Sequence, residues 1–393
     1  MNRIVPGVLV GIFTACAGLA PGLARAQEQT APAPRPKGDP APPGKARALR
    51  LPATPDRYAS PELPAHYKEL AIRRLDNTPS DNPVTDDGAT LGRVLFYDTR
   101  LSANNTIACA SCHQQKHAFS DPRRFSQGYE GKETDRNAMP LVDVRYYPRG
   151  RFFWDERAPT LEAQVLMPIQ NKIEMGNDLG KVLEMLGADP EYIELYRKAF
   201  GDPKVTKDRT AKALAQFVRS LVSFGSKYDE GVTRVRSRND DFPNFTREEN
   251  RGKAIFMRSC AICHLPGGQE AVFSVPNPQN NGLDADAKVA DLGVADVTFN
   301  RFDAGRFKSP SLRNVEYTAP YMHDGRFKTL EEVIEHYSSG VKSHPNLDGR
   351  LRATRGGLRL SPPEKAALAA FLKTLSDPTF LSDPKFSDPF ETK

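Results

Sequence analysis

Hydrophobic positions recur along this chain with a helical period, and they do so twice. Leu214, Phe217, Val218 and Leu221 fall at i, i+3, i+4 and i+7, one apolar face of a helix. Leu368, Phe371, Leu372 and Leu375 repeat the pattern near the C-terminus. Upstream of each stripe stands a matching segment, Gly92-Arg-Val-Leu-Phe96 and Gly252-Lys-Ala-Ile-Phe256, each predicting a short helix that leads into a cysteine-bearing loop. Ser361, Pro362 and Glu364 form a capping box with proline at the first helical position, which marks where the last helix starts. Alternating Val/Ile/Thr runs are scarce. The expectation is an all-α chain that uses one helical plan twice, with long loops such as the Gly/Asn/Asp/Pro-rich stretch from Pro266 to Gly293.

Composition changes this picture in one respect. The 393 residues leave room for two domains of roughly 100–200 residues. Apolar residues make up 39%, below the usual ~45–50%, and 33 prolines exceed the usual ~5% share. Either part of the chain does not fold, or something other than side chains helps to fill the core. Residues 1–26 hold Arg3 and Arg25, no acid, an apolar run from Ile4 to Ala20 and a closing Ala24-Arg25-Ala26, the pattern of a cleaved secretory signal. The mature chain would start near Gln27, in the periplasm. Phe13-Thr14-Ala15-Cys16 loosely resembles a lipoprotein cleavage box, but Phe13 is a poor match and the Ala-x-Ala cut is preferred. Residues 27–60 read as a flexible Pro/Ala-rich leader. The folded part is expected as two domains, 61–235 and 236–393. Removing the signal lowers the net charge from +6 to +4, too slight for nucleic acid or a polybasic anchor. No later apolar run reaches about 18 residues, so no membrane span is expected in the mature chain.

The four cysteines beyond the signal form Cys109-Ala-Ser-Cys112-His113 and Cys260-Ala-Ile-Cys263-His264. Cys-x-x-Cys-His is the attachment motif of c-type haem: two thiols a turn apart can form thioethers with two vinyl groups, and the adjacent imidazole can bind the iron. A four-cysteine zinc site or disulfides are the rivals, but paired zinc-ribbon motifs stand about 15–20 residues apart, far closer than these, and a two-residue spacing with His directly following suits haem better than a disulfide. Two covalently bound haems c would also supply core mass that the side chains lack. The sixth iron position then decides function, since Met or His closes an electron-transfer iron and an open face admits peroxide. Histidines outside the motifs are His66, His117, His323, His336 and His344. His117 is too near its own motif to reach across the porphyrin.

The stretches LGRVLFYDTRLS, FFWDERAPTLEAQ, PIQNKIEMG and SPSLRNVEYTAPYMHDGRFKTLEEVIEHYSSG, with both haem motifs, carry a specific likeness. From Leu91 to Leu375 the chain resembles the bacterial di-haem cytochrome c peroxidases and their MauG-type relatives, which make tryptophan tryptophylquinone. The resemblance implies two cytochrome c-like domains, the N-terminal haem peroxidatic and the C-terminal haem handling electrons. It implies Trp154 between the haems, Glu174 as the distal acid of the peroxidatic haem, and Gln164 and Pro168 beside it. Asn137, with the carbonyls of Thr318 and Pro320, matches an oxygen-only calcium site between the domains. Many family peroxidases carry a capping His where this chain has Gly128-Tyr129-Glu130, so the first haem is expected to be open without reductive activation. At the second haem the family's ligand Met is replaced by Tyr337, as in MauG-type enzymes; Met322 lies at a position that is not the ligand.

The expected function is therefore periplasmic reduction of hydrogen peroxide with electrons from a small redox protein, a cytochrome c or a cupredoxin. Glu174, Gln164 and Trp154 would serve catalysis, and the oxidising equivalent would be shared by both haems. Two rivals stand beside it: a MauG-like oxidase that modifies a partner protein, and a di-haem electron carrier without enzymatic activity.

Overall fold

A computed structural model describes residues 48–265, 271–285 and 291–391. The secretory signal, Cys16 and most of the expected leader lie outside the described residues. Helices and short 3-10 turns dominate, and the named strands are Ala48–Leu49 and Phe390–Glu391, paired antiparallel. Among the described residues no helix is long and apolar enough to cross a membrane.

Four helices carry the plan read from the sequence. Asp86–Tyr97 contains Gly92, Lys207–Ser220 carries the first apolar stripe, Arg247–Ser259 contains Gly252, and Pro362–Lys373 carries the second. Each starts where its cap dictates. Thr85, Thr206 and Thr246 accept from the backbone of the first turn, and Ser361 with Glu364 closes the expected capping box. The last stripe residues, Leu221 and Leu375, lie just past their helices but are fully buried.

The two glycines show why the pairs pack as they do. A Cβ on Gly92 would fall on the Ala213 carbonyl and crowd Phe217; one on Gly252 would fall on the Ala367 carbonyl and crowd Phe371. Both crossings therefore bring backbone against backbone, which only glycine permits. Replacing Gly252 by Val is expected to force the helices apart and cost ~3 kcal/mol, at the upper end of overpacking penalties. Thermal unfolding of the holoprotein checks this, and an unchanged melting temperature would contradict it.

One apolar core surrounds the first helix pair and includes Phe96, Phe119, Leu214 and Phe217. A second surrounds the other pair and includes Phe256, Phe273, Phe371 and Leu375. Phe380 and Phe386, from the C-terminal tail, belong to the first core. The tail thus crosses back over residue 236 in space, and it does so because Tyr97 and Tyr58 donate their hydroxyls to the Phe386 and Lys385 carbonyls. The same contacts correct the expected leader. From Ala48 the chain is held: Ala48–Leu49 pairs with the tail, Tyr58 is buried, and its N–H donates to Asp86. Against Tyr228 and Phe273 of the second core Arg313, fully buried, donates to both oxygens of Asp229, which also meets His66 at 2.7 Å. Removing one partner of such a buried pair would leave the other charge uncompensated, which is strongly destabilising.

Candidate haem sites

The Asp86–Tyr97 helix delivers the chain to a single turn, Cys109–Cys112, which sets the two thiols on adjacent positions of one turn. His113 follows as its C-cap, and its Nδ1 meets the Phe119 carbonyl at 2.9 Å. That contact suits an Nδ1–H donor and leaves Nε2 for iron. Phe119 stands at φ +58°, a backbone setting that turns its carbonyl toward the ring. Burial holds the His113 pKa down, so the imidazole is in its neutral, ligating form.

Against this motif opens a cavity of about 710 Å³ lined by Cys112, His113, Trp154, Gln164, Pro168 and Glu174. A smaller one of about 60 Å³ continues past Cys109. The larger volume is within the range of cofactor sites, and the donors match what a covalently bound haem requires. Thr160 caps the short Leu161–Gln164 helix, which places Gln164 at its end. Glu174 lies beyond the Met167–Gln170 turn, its N–H donating to the Asn171 carbonyl at 3.1 Å. Burial pushes its carboxyl above the ordinary range, while Arg157 pulls the other way. Of the Gly128-Tyr129-Glu130 segment, Gly128 reaches the smaller cavity. Tyr129 packs against Gly176, and Glu130 pairs with Lys132 at the surface.

The second motif repeats the plan. Arg247–Ser259 runs into the turn Ala261–His264, and burial pushes the His264 pKa down to about 4. His264 Nδ1 is buried and makes no hydrogen bond of good geometry among the described residues, although the Phe273 carbonyl acts on it as Phe119 does on His113. Tyr337 lies in a π-helical turn, His336–Gly340, that continues the Leu330–Glu335 helix. Such turns re-aim single side chains at functional sites. Its hydroxyl accepts from Asn281 Nδ2 at 3.4 Å, and Cys260 and Cys263 are near enough to act on it electrostatically. Burial pushes the phenol up to about 12. The same Asn281 amide lies 3.4 Å from Met322 Sδ, so the sulfur and the Tyr337 hydroxyl share one donor. His336 is engaged elsewhere, its Nε2 at 3.1 Å from the Asn281 carbonyl.

Trp154, which shares the larger cavity with His113, is buried and its Nε1 donates to the Asn137 carbonyl at 2.8 Å. Its ring meets His323 edge-on, with centroids 6.4 Å apart, and His323 stacks flat on Phe307 at 3.7 Å. Asn137 N–H donates to the His323 carbonyl, which brings the expected calcium loops together, and its Nδ2 donates to the Arg123 and Arg124 carbonyls. Among the described residues no cluster of three or more His, Cys, Asp or Glu could hold a metal, so a calcium ion here would rest on amide and carbonyl oxygens.

The structure also reveals a register shared by the two halves. Trp154 stands six residues before the cap Thr160, and His323 six before the cap Thr329. The bridges Phe152–Ala158 and Tyr321–Phe327 close the two loops in the same way. Counting on, Pro168 and Tyr337 each lie eight residues after their cap. One half of the repeat thus offers an oxygen donor where the other offers a proline ring. Asn281 and Lys308, which flank the two sites, lie in segments without hydrophobic period, and nothing in the sequence pattern singles them out.

Comparison with known proteins gives the same architecture. A family model described as di-haem cytochrome c peroxidase matches residues 86–236, and one described as cytochrome c matches 249–376. The chain is 33% identical over 314 residues to methylamine utilization protein MauG of Methylorubrum extorquens, covering 78% of this chain and 83% of that protein. It is 33% identical over 299 residues to cytochrome c551 peroxidase of Nitrosomonas europaea, covering 75% and 81%. A crystal structure of a MauG-like protein associated with microbial copper homeostasis superposes with a TM-score of 0.69 at 34% identity, covering 79% of this chain and 95% of that one.

Proposed function

This chain belongs to the di-haem cytochrome c peroxidase/MauG family, oxidoreductases with two covalently bound haem c groups, and from that premise we propose that it reduces hydrogen peroxide at the His113 site with electrons from a small redox protein in the periplasm. Cys109, Cys112 and His113 would hold the first haem. Cys260, Cys263 and His264 would hold the second, with Tyr337 as its sixth ligand. The bound haem supplies a redox-active iron for O–O cleavage. Glu174 takes the proton from one peroxide oxygen and returns it to the other, which then leaves as water. Its burial in the cavity wall suits this, because a desolvated carboxylate holds and releases a proton nearer neutrality than an exposed one. Gln164 orients the peroxide, and Trp154 lies on the route between the sites. Two protons and two electrons complete the conversion of one peroxide to two waters. A calcium ion on Asn137 and the Thr318 and Pro320 carbonyls belongs to the same reading.

The observation that carries this reading is the asymmetry of the repeat: a carboxyl-lined cavity beside Pro168 at the first site, a phenol hydroxyl at the second. The resting holoprotein is expected to show a high-spin ferric component by electron paramagnetic resonance. Low-spin signals alone would leave an electron carrier. A second reading is favoured by Tyr337, whose hard anionic oxygen would stabilise ferric iron and resist reduction by a donor cytochrome. On that reading the oxidising equivalent is spent on a partner protein, as its MauG-type relatives suggest. Peroxide turnover with reduced cytochrome c, set against product formation on a co-expressed partner, separates the two.

A further inference from the structure

Lys308 is 3% exposed, and among the described residues no carboxylate comes within ion-pair distance of its Nζ. Its neighbours are Met139 Sδ at 3.3 Å and the Tyr147 ring, 4.5 Å from the centroid. Glu156 is the acid whose field it feels, but that carboxylate is already taken: Tyr147 donates its hydroxyl to it, and Arg149 Nε donates to both oxygens at 2.8 and 2.9 Å. An ammonium buried without an anion carries a desolvation penalty that no attraction repays. Lys308 lines the same 710 Å³ cavity as Cys112 and His113, and its N–H donates to the Trp154 carbonyl at 2.8 Å.

The carboxylates that line this cavity, Glu174 and Asp155 among them, do not reach the Lys308 ammonium, and the anion it lacks among the described residues is one that a haem brings with it, because a c-type haem carries two propionate carboxylates. We propose that Lys308 binds a carboxylate of the haem held by Cys109, Cys112 and His113. It thereby fixes a positive charge at the edge of that haem, beside Trp154. Burial brings the ammonium down to about 8, so it is still protonated at neutral pH, and an anion beside it strengthens that state. A charge-assisted contact in a desolvated site is also the strong kind. The inference rests on the haem and not on peroxide chemistry, so it can fail while the peroxidase reading stands.

The test is spectroelectrochemical titration of both haems in the holoprotein, comparing Lys308→Met, of similar length but neutral, with Lys308→Arg. Removing the cation leaves the carboxylate uncompensated and favours ferric iron. The first haem's potential is expected to move negative in K308M, to stay near the parent value in K308R, and the second haem's to change less. Redox-difference infrared spectra should show the carboxylate bands displaced in K308M. Glu156→Gln supplies the control for a protein carboxylate: in that background the K308M shift should persist, and its disappearance would give the partner as Glu156 and overturn the assignment. An unchanged potential with unchanged carboxylate bands would overturn it as well. If K308M does not accumulate with both haems attached, Lys308→Gln carries the same expectation.

Discussion

Replacing Glu174 by Gln is expected to slow peroxide cleavage by ~10²–10⁴-fold, the usual contribution of one positioned acid–base group, while both haems stay attached. The amide matches the carboxylate in size and its oxygen can still accept a hydrogen bond, but it cannot take a proton and return it. Geometry suits the side chain to this role, since it shares the cavity wall with His113 and its field reaches Cys109 and Cys112, whose thiols are raised chiefly by burial. The pH dependence has a definite sign. The carboxylate must be ionised to take the peroxide proton, and burial raises its pKa, so the rate falls on the acid side at a pH above the ordinary carboxylate range. In E174Q that limb should vanish. Rapid mixing with peroxide across pH measures both effects; unaltered kinetics would remove Glu174 from the mechanism.

Tyr337→Met is expected to move the second haem's potential positive by on the order of 0.1 V, within the ~0.8 V that axial ligands span. A phenolate favours ferric iron, whereas a thioether favours ferrous iron. The substitution should therefore ease electron entry from a donor cytochrome, raise peroxide turnover supported by that donor, and lower any modification of a partner protein. Asn281 loses an acceptor in the variant but keeps Met322 Sδ within 3.4 Å, so the local packing has a fallback. Spectroelectrochemistry reads the potential directly. An unchanged value would mean that the oxygen donor is assigned to the wrong residue.

How much of this is legible in the sequence depends on distance along the chain. The haem motifs span five residues each, because thioether formation and axial ligation are requirements on one turn of backbone, and local spacing suffices to state them. The helix stripes and the Ser361 cap are legible for the same reason. The leader reads as flexible to residue 60, yet from Ala48 onward the chain is held, since what holds Tyr58 is the Lys385 carbonyl, over three hundred residues away. The pairing of Trp154 with His323 is written into the six-residue offsets from Thr160 and Thr329, but it becomes visible only once the rings are found in contact.

By itself, then, the sequence determined the all-α plan, its duplication and the attachment of two haems, because each is enforced by neighbours within a few turns. Tertiary structure alone decided which helix backbones touch at Gly92 and Gly252 and which carboxyl is desolvated beside His113. It also decided that Lys308 is buried with no carboxylate of the described residues within ion-pair distance. Burial and close approach are properties of segments brought together from far apart, and no local pattern records them.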